Sequence, residues 1–149
     1  MDQRAVFGIM TNFHCDFHSH TIYGDGKNTP AEMAEAAFRL GLTDYGISEH
    51  GFLANYAYSE SKTFGMDEAA FIRYLKELEE LKERYKGKMH LYIGVEQDGM
   101  GPEQKADYTI GSTHQLLKNG EYVMIDESEE ILVDAVNRLW GGDWYALTA

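Results

Sequence analysis

The sequence predicts an α/β fold, with a parallel sheet or an α/β barrel at its centre. Three observations predict it. The first part of the chain alternates strand-like and helix-like segments. The link between the third and fourth strand-like segments is too short for an ordinary helix, so a barrel would be irregular. Four strand-like segments end in a histidine or a glutamate, in the stretches HSH (18–20), SEH (48–50), GVE (94–96) and STH (112–114). In barrels, functional groups gather at the C-terminal ends of parallel strands.

Each element has its own justification. In FHCDF, 13–17, Phe13, Cys15 and Phe17 alternate with His14 and Asp16, and the polar set continues to His18 and His20. A period of two marks a strand and assigns Cys15 to a buried apolar face. Thr29, Pro30 and Glu32 form a capping box and open a helix. Its predicted buried stripe is Met33, Ala37 and Leu40 with Ala36 beside it, and Gly41 ends it. Strand two is TDYGISE, 43–49, ending at His50. Residues 51–66 lack periodicity and are expected to be a loop placed to cover a site. Asp67 caps a helix to about Tyr85 whose apolar face is Phe71, Leu75, Leu78 and Leu81. Strand three is 89–96, strand four 106–113, a short fifth strand 121–125 and a final amphipathic helix 128–140. No repeat, low-complexity run or linker interrupts 1–149, which is read as one domain.

Composition narrows the functional classes. A chain of 149 residues suits one domain with a substantial core. No apolar run approaches the roughly 20 residues needed to span a bilayer. MDQRAVFGIM has an acid where a signal peptide would be basic. The single cysteine, Cys15, fits a reducing compartment, so a soluble cytoplasmic protein is expected. A net charge of −12 argues against nucleic acid and anionic membrane as partners. An anionic substrate would need cations gathered locally.

Those cations have candidate ligands. His18 and His20, two apart on an extended segment, point the same way. Asp25 can reach back from the following loop, and Glu96 can bridge two ions through its two oxygens. Gly46 and Ser48 before His50, and Gly94 before Glu96, are small and are expected to leave volume for ions and substrate. A single strand-end histidine is more often a hydrogen-bonded or solvated residue than a ligand. The concurrence of His18, His20, Asp25, His50, Glu96 and His114 at successive strand ends favours a metal site. Imidazole and carboxylate without thiolate suit zinc, manganese or iron. His14 and His90, near strand starts, are read as structural, and Asp16 as a carboxylate orienting a ligand imidazole. The Glu- and Lys-rich helix is read as a solvated face.

These residues resemble the PHP (polymerase and histidinol phosphatase) superfamily, in particular its histidinol-phosphate phosphatases. DFHSHTIYGDG, GLTDYGISEHGF, YIGVEQD and DYTIGSTH are similar to the family's successive motifs, over about residues 13–115. The resemblance implies a distorted (β/α)7 TIM-like barrel with up to three divalent ions. It implies that His18, His20 and Glu96 share one ion, that Glu96 and His114 meet a second, and that Asp25 and His50 hold the third. It assigns Glu96 and His114 to catalysis. The implied activity is hydrolysis of a small phosphomonoester, L-histidinol phosphate, in histidine biosynthesis, with the ions neutralising phosphate charge.

The sequence departs from the pattern downstream. Family members carry a further histidine and a late Asp-x-His, whereas no histidine follows His114 and Asp143 lacks the x-His. A full barrel takes about 250 residues, so the chain is expected to be about the first half of one. Three readings follow: a metal-deficient half-domain prone to self-association through open strand edges, a phosphatase completed by another chain, and a non-catalytic metal-holding module.

Overall fold

The computed structural model describes residues 14–51, 65–98, 104–125 and 127–148. In chain order the elements are β1 Cys15–Asp16, α1 Pro30–Leu40, β2 Asp44–His50, α2 Glu68–Tyr85, β3 His90–Asp98 and β4 Tyr108–Ser112. After them come β5 Gln115–Lys118, β6 Glu121–Met124, α3 Glu129–Trp140 and a 3-10 turn at Ala146–Thr148. The chain divides into two compact units, one through Gly111 and one from Ser112. Phe13 and most of the expected 51–66 loop lie outside the described residues.

In the first unit, β1 to β4 make one sheet in sequence order, and β1–β2 and β2–β3 are parallel. Parallel neighbours require a crossover, and α1 and α2 supply it. The register sets His50 beside Glu96, so two of the chemistry-bearing strand ends are level. Residues past β1 stay alongside β2, where the Ser48 amide donates to the Ser19 carbonyl at 3.1 Å. The alternation predicted from sequence is therefore the observed one.

Both helices begin as the sequence prescribes. Thr29 Oγ1 accepts from the Glu32 amide at 3.2 Å, and Glu32 Oε2 accepts from the Thr29 amide at 2.8 Å. Asp67 Oδ1 caps α2 through the Ala70 amide at 2.7 Å. Their buried faces differ from expectation. On α1 the buried arc is Pro30, Ala34 and Ala37, while Leu40 is 74% exposed. Leu40 lies about 60° round the helix from Ala37, off the centre of that arc and in the last turn. On α2 the buried positions are Tyr74, Leu78, Leu81 and Tyr85, with Phe71 and Leu75 at the margin. The tyrosines bury because their hydroxyls find partners. Tyr74 places its hydroxyl between the carbonyls of Ile47 and Gly94, at 2.8 and 2.7 Å, and so pins β2 to β3. Tyr23 donates to Glu77 at 2.8 Å, and burial pushes its phenol up to about 12.

Asp107 fixes the entry to β4. Its amide donates to the Ile93 carbonyl, and its carboxylate accepts from the Ile93 amide at 2.8 Å and from Lys82 on α2 at 2.9 Å. Burial raises the pKa of this carboxyl, but the amide and the ammonium outweigh it and hold the group below its ordinary value.

Cys15 is exposed, contrary to the expected apolar face. Both residues of β1 are exposed, and among the described residues β1 is an edge strand that pairs only with β2. In the second unit, β5 and β6 form an antiparallel hairpin that the sequence reading recognised only in its second strand. Its turn is Asn119 at φ 53° and Gly120 at φ 84°, the left-handed pair that a tight hairpin requires. The Asn-Gly pair was a legible signal, hidden by polar Gln115 and Lys118 on its flank. Arg138 of α3 grips Glu121 of β6 through two bonds of 2.7 and 2.6 Å.

Candidate metal centre

The centre is built around Glu96, whose side chain is only 4% exposed. Its Oε1 lies 3.3 Å from His18 Nε2. Its Oε2 lies 3.3 Å from His20 Nε2 and 3.2 Å from His50 Nδ1. Imidazoles from two separate stretches thus surround one carboxylate of a third. The His20 and His50 rings are 4.4 Å apart between centroids, and those of His18 and His20 are 5.3 Å apart.

The loop after His20 brings in the next ligand. A turn closes from the Gly24 amide to the Thr21 carbonyl, and the Ile22 amide reaches the Asn28 carbonyl. Gly26 then lies so close to the His20–Thr21 peptide that a Cβ there would meet backbone atoms at 2.5 Å. This fold-back returns Asp25, with Oδ1 3.4 Å from His20 Nδ1 and 3.6 Å from His50 Nε2. Within the first unit two sets of donor atoms result, His18 with His20 and Glu96, and His20 with Asp25 and His50, each set within 4.8 Å. Either set could hold a metal ion.

His114, the remaining predicted ligand, belongs to the second unit, where its Nε2 is 3.3 Å from the Ser112 hydroxyl. His14 contributes its backbone carbonyl, which accepts from Thr43 at 2.8 Å. His90 is paired with Asp44 at 3.1 Å. Neither belongs to these donor sets. Asp16 does not orient an imidazole: its Oδ1 accepts from the His18 backbone amide at 3.0 Å. It therefore fixes the chain leading to His18 rather than the ring.

The space beside Gly46 and Gly94 is occupied, against expectation. A Cβ on either would collide with the Tyr108 ring. Tyr108 reaches across the sheet to donate to the Phe17 carbonyl at 2.6 Å, with the Phe17 ring edge-on at 5.6 Å. The glycines make room for a phenol, not for ions.

Sequence reasoning missed Glu49. It is fully buried, its Oε1 accepts from the Thr21 amide, and its Oε2 lies 3.8 Å from His20 Nδ1. Glu49 raises the pKa of His20, burial opposes it, and Asp25 and Glu96 add to the rise. The SEH triplet could have revealed it, because the residue next to an inward ligand faces the other side of the sheet, and a carboxylate there needs a partner.

The PHP domain family model matches residues 14–139. The chain belongs to the PHP domain family. Among solved structures it is similar to one described as "the putative histidinol phosphatase hisK from Listeria monocytogenes", at 26% identity and a TM-score of 0.67. That likeness covers 79% of this chain and 51% of the other, so this chain spans about half the length of its structural neighbour. The sheet and its helices accordingly form part of a PHP-type TIM-like barrel. No curated protein matches.

Proposed function

We propose that this PHP domain is a metal-dependent phosphoesterase acting on a small phosphomonoester, with L-histidinol phosphate as the first substrate to try. The observation that carries the reading is the buried Glu96 carboxylate with three imidazole nitrogens 3.2–3.3 Å from its oxygens. A buried carboxylate surrounded by nitrogen donors suits a cation shared among them. The donor set also fits: it contains imidazole and carboxylate and no thiolate, which suits zinc, manganese or iron.

In this proposal His18, His20 and Glu96 hold one ion, and Asp25 and His50 help to hold another. His114 is added on the strength of its sequence motif alone, with Glu96 as its catalytic partner. Bound divalent ions would supply charge neutralisation for the phosphoryl oxygens and an activated water. The protein's own part is to fix the donors and bury Glu96, so that its charge is directed at the ligands rather than at solvent. A local cation cluster also lets a chain of net charge −12 accept an anion. A place in histidine biosynthesis, a cytoplasmic setting and self-association through exposed barrel edges belong to the same proposal. Among the described residues, no helix is long and apolar enough to cross a membrane.

The test is titration with Mn2+, Zn2+ or Fe2+ followed by assay on histidinol phosphate and a generic aryl phosphate. Metal-dependent turnover supports the phosphatase. Metal uptake without turnover on either substrate supports the second reading, a metal-holding module. Absence of metal uptake overturns both.

A further inference from the structure

We propose that Glu49 is a positioning residue that holds His20 in the tautomer protonated on Nδ1, leaving the Nε2 lone pair facing Glu96. The inference rests on the proposed cation site at His18, His20 and Glu96. Two buried atoms carry it: His20 Nδ1 and Glu49 Oε2, neither with a hydrogen-bond partner among the described residues. They face each other at 3.8 Å, with Glu49 itself fully buried. A carboxylate so placed has no water to satisfy it, and a ring N–H is the donor that can.

The arrangement also decides between the two donor sets that include His20. An imidazole gives one lone pair to a metal and keeps a proton on its other nitrogen. If Nδ1 bound an ion with Asp25 and His50, Glu49 Oε2 would be left buried without a donor. If Nε2 binds with His18 and Glu96, the Nδ1 proton is available to Glu49. The second arrangement satisfies both atoms. Asp25 is the competitor, since its Oδ1 is nearer to Nδ1 at 3.4 Å. Its side chain is 44% exposed, however, and it stands 3.6 Å from His50, so solvent or an ion can satisfy it where neither reaches Glu49.

Glu49→Gln tests this without changing shape. One amide oxygen can accept from Thr21 only if the amide NH2 is turned toward His20, where it donates. That reverses the ring, placing the proton on Nε2 and removing the lone pair. Imidazole 15N NMR of the metal-free protein, at alkaline pH where the ring is neutral and Glu96 Oε2 competes for a proton on Nε2 from 3.3 Å, should show the Nδ1–H fraction falling from wild type to Glu49→Gln. Calorimetric titration with Mn2+ should show affinity falling about 10- to 100-fold in Glu49→Gln, and Asp25→Asn should leave the tautomer unchanged. A His20 tautomer indifferent to Glu49, or one that follows Asp25, overturns the proposal. So does a Glu49→Gln protein that binds Mn2+ as tightly as the wild type. A wild type that shows the Glu49-dependent tautomer but takes up no Mn2+ supports the hold of Glu49 on the ring and overturns the cation-site reading instead.

Discussion

Glu96 and Tyr74 show how differently two buried polar side chains can be used. Glu96 gathers nitrogens that a metal can replace as partners, whereas Tyr74 spends its hydroxyl on two backbone carbonyls and no ligand. Glu96→Gln should therefore weaken Mn2+ binding by about 100-fold or more while leaving the urea midpoint of the metal-free protein close to wild type. Tyr74→Phe should do the reverse. It leaves the Ile47 and Gly94 carbonyls without that donor and should cost about 1–3 kcal/mol in urea unfolding, with metal affinity unchanged. A Glu96→Gln protein with wild-type affinity would remove the carboxylate from the centre.

At the scale of elements, the α1 capping box, the Asp67 cap of α2 and the Asp107 clamp set where helices and strands begin. Thr29→Ala should lower stability by about 1 kcal/mol, read as a shift of the denaturant midpoint, because α1 loses the bond to the Glu32 amide. Asp107 adds a pH dependence. Its folded-state carboxyl lies below its unfolded value, so its stabilisation is complete above about pH 4 and is lost as the pH falls through the folded pKa. Asp107→Asn should flatten that acid limb in urea midpoints taken across the range. The group is over a third exposed, so the effect is modest. If the variant follows the wild-type pH curve, the Ile93 and Lys82 contacts contribute nothing to folding.

For the whole molecule, binding of ions to the folded state alone would couple the proposed centre to stability. Mn2+ at 100 times its dissociation constant should add about 2.7 kcal/mol, seen as a rise in Tm that a chelator reverses. His20→Ala should abolish the rise. Much of this molecule was legible in sequence. Alternating β and α segments were visible as periodicities, and His18, His20, Asp25, His50 and Glu96 were visible because chemistry-bearing residues closed successive strands. What escaped needed tertiary contacts. That Cys15 is exposed depends on what lies over an edge strand, and that Gly46 and Gly94 receive a ring depends on Tyr108, which enters from a different strand. Glu49 escaped because its partners, the Thr21 amide and the His20 ring, come from a stretch distant in sequence.

Tyr108 has one further consequence. Gly94 is two residues before Glu96 and Gly46 four residues before His50, on the same faces of β3 and β2, so the phenol ring lies one to two layers, roughly 7–13 Å, beneath those ligands. If the centre takes a phosphate ester as proposed, the floor beneath that substrate is a residue outside the ligand set. Shortening that side chain to alanine would open space beside Gly46 and Gly94, and in the proposed phosphoesterase would let bulkier esters settle deeper.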